Sequence, residues 1–124
     1  PLREYAKMPY DRDILVRLIV KKEAVSFDYQ SVRNTQTDFP VLTCAAAKTE
    51  AGYRFAIGAR PGKAVLFELS NEDMKDKNVE NIAEYAAKCV KEQIVTGSNT
   101  RGSAEYRNHL AGVLVRRAVC KLGE

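Results

Sequence analysis

One change of rhythm divides this sequence. Residues 12–68 carry short runs in which apolar and polar side chains alternate, the two-residue period of strands. Residues 78–122 repeat apolar side chains every three to four positions, the period of helices. The change happens once, so every strand run precedes both long helices. Neighbouring parallel strands need a crossover, usually a helix, between them, and this order supplies none. The pattern predicts an α+β fold: an antiparallel sheet of three to four strands, then helices packed on one face.

The strand runs differ in character. Residues 12–22 set Ile14, Val16, Leu18 and Val20 on one side, and Arg17 interrupts the other. Residues 26–34 alternate more weakly, with Phe27 and Tyr29 opposed to Asp28 and Gln30. The small side chains of 41–49 suit a crowded central strand. Residues 50–52 then turn the chain into 53–60, where Tyr53, Phe55 and Ile57 share a face; these two runs predict a β-hairpin. A short extended piece follows over 60–68, and Ser70 or Asn71 can cap a helix. Ile82, Tyr85, Ala86, Cys89, Val90 and Ile94 mark the first long helix, which Gly97 stops. On the last helix, 103–122, the apolar stripe is Ala104, Ala111, Leu114, Val115, Ala118 and Leu122. Glu105, His109, Gly112 and Arg116 form the opposite face.

Several function classes recede on composition. A chain of 124 residues is one domain by length. Its net charge of +4 comes from 20 basic and 16 acidic residues mixed along the chain, without the basic cluster that nucleic acid requires. Cys44, Cys89 and Cys120 are too widely spaced for a zinc site and odd in number for a disulfide framework. They suit free thiols in a reducing compartment. The longest apolar run, 41–47, is too short to span a bilayer, and residues 1–13 lack the apolar core of a signal peptide. These features predict a cytoplasmic protein without metal, nucleic-acid or membrane partners.

The densest polar grouping is 99–117. Ser103 can cap the last helix, and Glu105 meets the positive end of its dipole. Arg101 and the free amides of 103–105 could instead cradle an anion, although Glu105 would repel it. Arg107 stands in register with the apolar stripe, so its charge needs partners, either carbonyls of 96–101 or a carboxylate. Arg101, Ser103, Glu105 and Arg107 are accordingly read as structural residues, and no catalytic set is assigned. The two glycines of 57–62 lack the strand–GxGxxG–helix setting of a dinucleotide site.

Residues 100–119, "TRGSAEYRNHLAGVLVRRAV", resemble the carboxy-terminal signature of the FAD-binding (medium) subunit of molybdenum hydroxylases, the xanthine dehydrogenase and carbon monoxide dehydrogenase type. In that family the final helix begins Asp-x-Arg-Gly-Ser-Ala-Glu-Tyr-Arg. In the same order, 13–20 resembles the family's Glu-Ile-Leu-x-x-Ile-x-Ile-Pro strand, and 29–34 its Phe-Gln-Lys-x-x-Arg strand. Residues 38–47 resemble the Asp-Ile-Ala strand, and 55–65 the Ala-Leu-Gly-Gly segment. The departures are Asn99 for Asp, Val20 for Pro, and Gln30 and Ser31 where some members place a flavin-reaching Lys.

The resemblance implies a division at residue 11: 1–11 as the tail of a preceding FAD-binding domain, 12–124 as the flavoprotein C-terminal domain. It implies FAD in the full subunit, supplied mostly by domains absent from this chain, with Leu15 as an edge contact. Iron–sulfur and molybdenum subunits would be the partners, and electrons would pass through FAD to NAD or another acceptor. The chain alone would not be catalytic. A free-standing interaction module without cofactor is the alternative.

Overall fold

A computed structural model describes residues 2–5, 7–9, 14–22 and 25–123. After a short helix, α1 (Leu2–Tyr5), come four strands: β1 (Ser26–Val32), β2 (Leu42–Thr49), β3 (Gly52–Gly58) and β4 (Val65–Ser70). Three helices follow: α2 (Asn71–Met74), α3 (Val79–Gln93) and α4 (Ala104–Gly123). The strands lie in chain order, β1-β2-β3-β4, with every neighbouring pair antiparallel. This is the α+β architecture that the single change of period predicts.

Local chemistry sets the element ends. Glu50 and Ala51 turn the β2–β3 hairpin into Gly52, whose φ of 128° lies in the left-handed region. A Cβ there would sit 2.0 Å from the Leu69 carbonyl oxygen of β4, so only glycine lets the strands close. Ser70 caps α2 through a reciprocal box with Asp73. Asn78 caps α3 by accepting from the Asn81 amide.

Pairing defines two faces of the sheet. One carries the rows Asp28–Ala46–Phe55–Phe67 and Gln30–Cys44–Ile57–Val65, and α4 lies over it with α3 packed alongside. Phe55 stacks on Tyr53 and on Phe67, with ring centroids 6.0 and 5.5 Å apart. Leu42, Cys44, Phe55 and Ile57 are buried against Ala111, Leu114, Val115, Ala118 and Val119 of α4. The other face carries Tyr29–Ala45–Ala56–Leu66 and Phe27–Ala47–Arg54–Glu68, with no described element over it.

Two expectations are corrected. Residues 14–22 form no strand, and residues 12 and 13 of that expected strand lie outside the described residues. The run is apolar on both sides, since Leu15 and Ile19 join the alternate set, and such strands suit a position covered on both faces. The free edge of β1 has helices on one side alone. The second correction is Gly112, which is buried rather than solvated. It faces α3, where an added Cβ would stand 3.3 Å from the Ala87 carbonyl oxygen and 2.3 Å from Lys91 Cε. Helix α4 is thus covered on two sides, by sheet and by α3, and a single stripe understates its burial. The helix start expected at Ser70 or Asn71 is present, as Ser70 capping α2.

Candidate functional site

The densest polar structure in the chain sits where the loop before α4 meets β2. Arg107, one turn into α4, has no exposed surface. Its Nε donates to the Val41 carbonyl at 2.8 Å, Nη1 to the carbonyls of Gly97 at 2.8 Å and Gly102, and Nη2 to Asn99 Oδ1 at 2.6 Å. All its acceptors are neutral. Burial, and secondarily the nearby Arg101, push its pKa below the ordinary arginine value. A guanidinium nevertheless stays charged, so the carbonyl dipoles carry the whole stabilisation.

The loop is shaped to supply those dipoles. Asn99 and Gly102 exchange backbone hydrogen bonds at 3.1 and 3.2 Å, closing a tight turn that presents the Gly102 carbonyl and the Asn99 side-chain oxygen to Arg107. The Asn99 side chain also accepts from the Arg101 amide at 2.9 Å. Asn99 stands where the resembled signature has Asp, and an amide oxygen serves both donors without adding a charge. Gly102 lies so close that a Cβ would meet Val41 Cγ1 at 3.2 Å.

Arg101 points the other way. It bonds Asp38 Oδ1 at 3.1 Å and lies over the Phe39 ring, 5.2 Å from its centroid. Asn34 Nδ2 donates to its carbonyl at 3.3 Å. Arg101 and Arg107 therefore clasp the loop from both sides, one to the β1–β2 connection and one to the start of β2.

Ser103 caps α4. Its Oγ accepts from the Tyr106 amide at 3.2 Å, and Ser98 Oγ accepts from the Ala104 amide at 2.8 Å. Glu105 is exposed, and its own backbone amide, with help from the Ser103 hydroxyl, holds its carboxyl below the usual range. The first turn of α4 thus spends its free amides on side chains of its own loop. An anion would find those amides taken and a carboxylate beside them. His109 is exposed.

A second buried charge escaped the sequence reading. Asp28, on β1, is 4% exposed and accepts from Lys121 of α4 and from Gln30 Nε2 at 2.6 Å. The Lys121 hydrogen bond, against the opposing cost of burial, holds its carboxyl below the ordinary value. Gln30 also reaches the Leu114 carbonyl at 3.4 Å. The polar side of β1 thus faces inward while Phe27 and Tyr29 point outward, 74% and 57% exposed. The only sequence hint was the weak alternation of 26–34.

The cysteines are free, with Cys44 buried and Cys89 and Cys120 half-buried. Burial, with Asp28 nearby, pushes the Cys44 thiol from 9.0 up to about 12, the opposite of an activated nucleophile. Among the described residues no group of His, Cys, Asp or Glu could hold a metal, and no helix is long and apolar enough to cross a membrane.

A shallow cavity of about 200 Å³ at the turn end of the β2–β3 hairpin, beside Tyr53 and Arg54, is below the roughly 300–1,000 Å³ of small-molecule sites. Leu15 lies in the run 14–22 and is 55% exposed. Of Gln30 and Ser31, where the resemblance has some members place a Lys, Gln30 donates to Asp28 and Ser31 Oγ accepts from Arg33 Nε at 3.4 Å.

A sheet of this order, the α3–α4 pair and the Arg-Gly-Ser cap together invite comparison with known domains. A model of the CO dehydrogenase flavoprotein C-terminal domain matches residues 27–122, from β1 nearly to the end of α4. The chain belongs to that family. The uncharacterised protein YgfM of Escherichia coli K12 is 30% identical over 115 residues, which cover 92% of this chain and 42% of YgfM. The chain therefore spans less than half the length of this relative.

Solved structures of similar fold include quinoline 2-oxidoreductase from Pseudomonas putida 86, with a TM-score of 0.65 at 20% identity, covering 82% of this chain and 38% of that one. A Cu,Mo-CO dehydrogenase in its cyanide-inactivated form gives 0.64 at 19%, covering 84% and 38%. The carbon monoxide dehydrogenase of Hydrogenophaga pseudoflava, lacking the Mo-pyranopterin moiety, gives 0.59 at 17%, covering 83% and 38%. At 17–20% identity these structures share the fold, and the family match assigns the chain to the C-terminal domain of CO dehydrogenase flavoproteins.

Proposed function

We propose that this chain serves as the carboxy-terminal structural domain of an FAD-containing subunit in a molybdenum-hydroxylase-type oxidoreductase of the cytoplasm. In this reading FAD sits mainly in other domains of the same subunit. It takes electrons from iron–sulfur and molybdenum partner subunits and passes them to NAD or another acceptor. Leu15 makes an edge contact with the cofactor. Nucleic acid and membranes play no part.

The family match over 27–122 carries the reading. The chemistry of the described residues agrees with a supporting role. Their most elaborate polar network, around Arg107, is closed on itself, with its donors engaged by backbone and Asn99 oxygens. Arg101, Ser103, Glu105 and Arg107 act structurally: they hold α4 to β2 at a fixed angle, and no group among them is free to work on a substrate.

Absorbance tests the division of labour. The purified 124-residue chain is expected to be colourless and to leave FAD unbound at micromolar concentration; a yellow protein at that concentration would sink the reading. A second reading, an interaction module without cofactor, draws on the apolar side chains exposed over 14–20 and on β1. Flavin in the native assembly separates the two, because only the first requires it.

A further inference from the structure

The sheet has two free edges, β1 and β4, and the chain treats them differently. A free edge is a row of unpaired amides and carbonyls that another strand can join, so folded proteins blunt it. On β1 the blunting is visible. Asp28 points inward from the edge strand and takes Lys121 of α4 as its partner. A strand arriving there would have to lay its own inward side chains beside that ion pair. Strand β4 carries no such device. Its inward residues are Val65, Phe67 and Leu69, all apolar, and it holds neither proline nor lysine. On its outer side Leu66 is 48% exposed, and Glu68 pairs with Arg54 of β3 at 3.1 Å. Beyond the strand, Asn71 donates to the carbonyls of Glu50 and Ala51 at 2.6 and 3.2 Å, so the chain leaves β4 toward the β2–β3 turn.

The side chains of β4 say which strand fits. Antiparallel strands set residues of the same face opposite each other, so a second β4 can pair only where inward meets inward. Centred on Glu68, the pair would put two carboxylates face to face, which is destabilising. Centred on Leu66, it would set Glu68, Leu69 and Ser70 against residues 62–64, where Gly62 turns the chain with a φ of 123°. Centred on Phe67, every position is matched. Phe67 meets its own counterpart as an aromatic pair, Val65 meets Leu69, and Leu66 meets Glu68. The charge of Glu68 is already balanced by Arg54 within each copy. The strand is therefore complementary to itself in one register.

We propose that β4 is the docking edge for a second copy of this chain. Two β4 strands pair antiparallel about a two-fold axis at Phe67, and two four-stranded sheets become one continuous sheet with the helices of both copies on the same side. The same patch serves both partners, so assembly closes at two copies and leaves only the blunted β1 edges outside. The pairing requires no flavin and stands or falls apart from the functional reading above.

Sedimentation equilibrium of the full chain, followed up to about 1 mM, tests the pairing. A reversible passage from monomer to dimer is expected; a monomer throughout, or growth beyond two copies, overturns the proposal. Two substitutions at one exposed position then read the register. Leu66→Glu sets a carboxylate opposite Glu68 of the other copy, twice per dimer, and should weaken association about tenfold. Leu66→Lys sets an ammonium there and should hold or tighten it. Both should keep the circular dichroism of the wild type, because Leu66 lies on the uncovered side of the sheet. Equal weakening by both variants denies the register, and no effect of either places the contact elsewhere, for example on the run 14–20; each result overturns the proposal. Amide exchange of the wild type gives a reading that needs no variant. Residues 65–69 should slow as chain concentration rises while 28–32 of β1 should not, and slowing confined to β1 would overturn the proposal as well.

Discussion

The Arg107 corner and the run 14–20 break the usual partition of side chains in opposite directions. One buries a full charge; the other leaves six large apolar side chains exposed. At the corner the chain resolves the conflict internally, with four acceptors from Val41, just before β2, and the loop 97–102 placed around one guanidinium. In the run nothing within the described residues resolves it. The difference is one of reach. A polar group in a core can be satisfied by a few well-aimed carbonyls, but an apolar strand needs whole surfaces on both sides, and beside the edge strands β1 and β4 this sheet offers helices on one face alone. Buried polar groups, once satisfied, fix geometry; exposed apolar runs wait for a partner.

The largest effect expected from breaking this comparison is at the corner. Arg107→Ala leaves the Val41, Gly97 and Gly102 carbonyls and Asn99 Oδ1 without their shared donor, in a space too buried for easy hydration. Each buried acceptor left unsatisfied costs about 1–3 kcal/mol, and several at once are a large share of the roughly 5–15 kcal/mol that holds a small domain. The melting temperature should fall sharply, with or without phosphate present. Arg107→Lys should recover only part of it, because one ammonium cannot meet acceptors spread across a planar fork. A near-neutral Arg107→Ala would show that the corner is dispensable, and phosphate stabilising the wild type but not the variant would reinstate the anion reading.

Next in size is the second buried charge. Lys121→Ala removes the main donor to Asp28 and leaves Gln30, at a cost of about 1–3 kcal/mol. Because the folded pKa of Asp28 lies below its unfolded value, its contribution is complete above about pH 4 and fades as pH falls through the folded pKa. The variant should therefore lose stability at neutral pH and show a shallower loss on acidification than the wild type. Parallel curves for the two proteins would mean that the pair does not couple to folding.

Thiol labelling probes the side of the sheet that α4 covers. With Cys44 raised from 9.0 to about 12, its thiolate is about a thousandfold scarcer than that of a free cysteine at the same pH, before access is counted. Cys44 should react last of the three, and in step with unfolding as denaturant is added. Fast labelling of Cys44 in the native protein would place β2 at an edge and contradict its pairing on both sides.

How far these features were legible follows from the range of the forces involved. The β2–β3 hairpin, the Ser103 cap and the inward register of Arg107 depend on residues within a turn or two, and all can be read from spacing. The loop 96–101 was also a readable acceptor for Arg107, although its Val41 carbonyl partner was not. The inward Asp28 was hidden because its partner Lys121 lies 93 positions away, on another element. Gly112 looked solvated because one helix wheel shows one stripe, and the burying surface, α3, is a separate helix. The run 14–22 reads as a strand by pattern alone, since alternation records what a strand would bury and not whether a partner is present.

The smallest expected effect is the most telling for the comparison. Leu18 and Leu114 are the same residue type, 61% and 1% exposed. Leu114→Ala removes methyl groups from the contact of α4 with β2 and should cost about 2–5 kcal/mol, the transfer loss plus the cavity left behind. Leu18→Ser removes a side chain already in water and should change stability by no more than about 0.5 kcal/mol, the scale of ordinary surface substitutions. His109→Ala, on the solvated side of α4, should be equally silent. Binding of an apolar fluorescent dye should move the other way: Leu18→Ser lowers it, and His109→Ala does not. Chemical denaturation of the three variants beside the wild type tests the contrast. If Leu18→Ser destabilised the isolated chain by as much as Leu114→Ala, the run would already be packed within this domain, and its exposure could not be the mark of an absent partner.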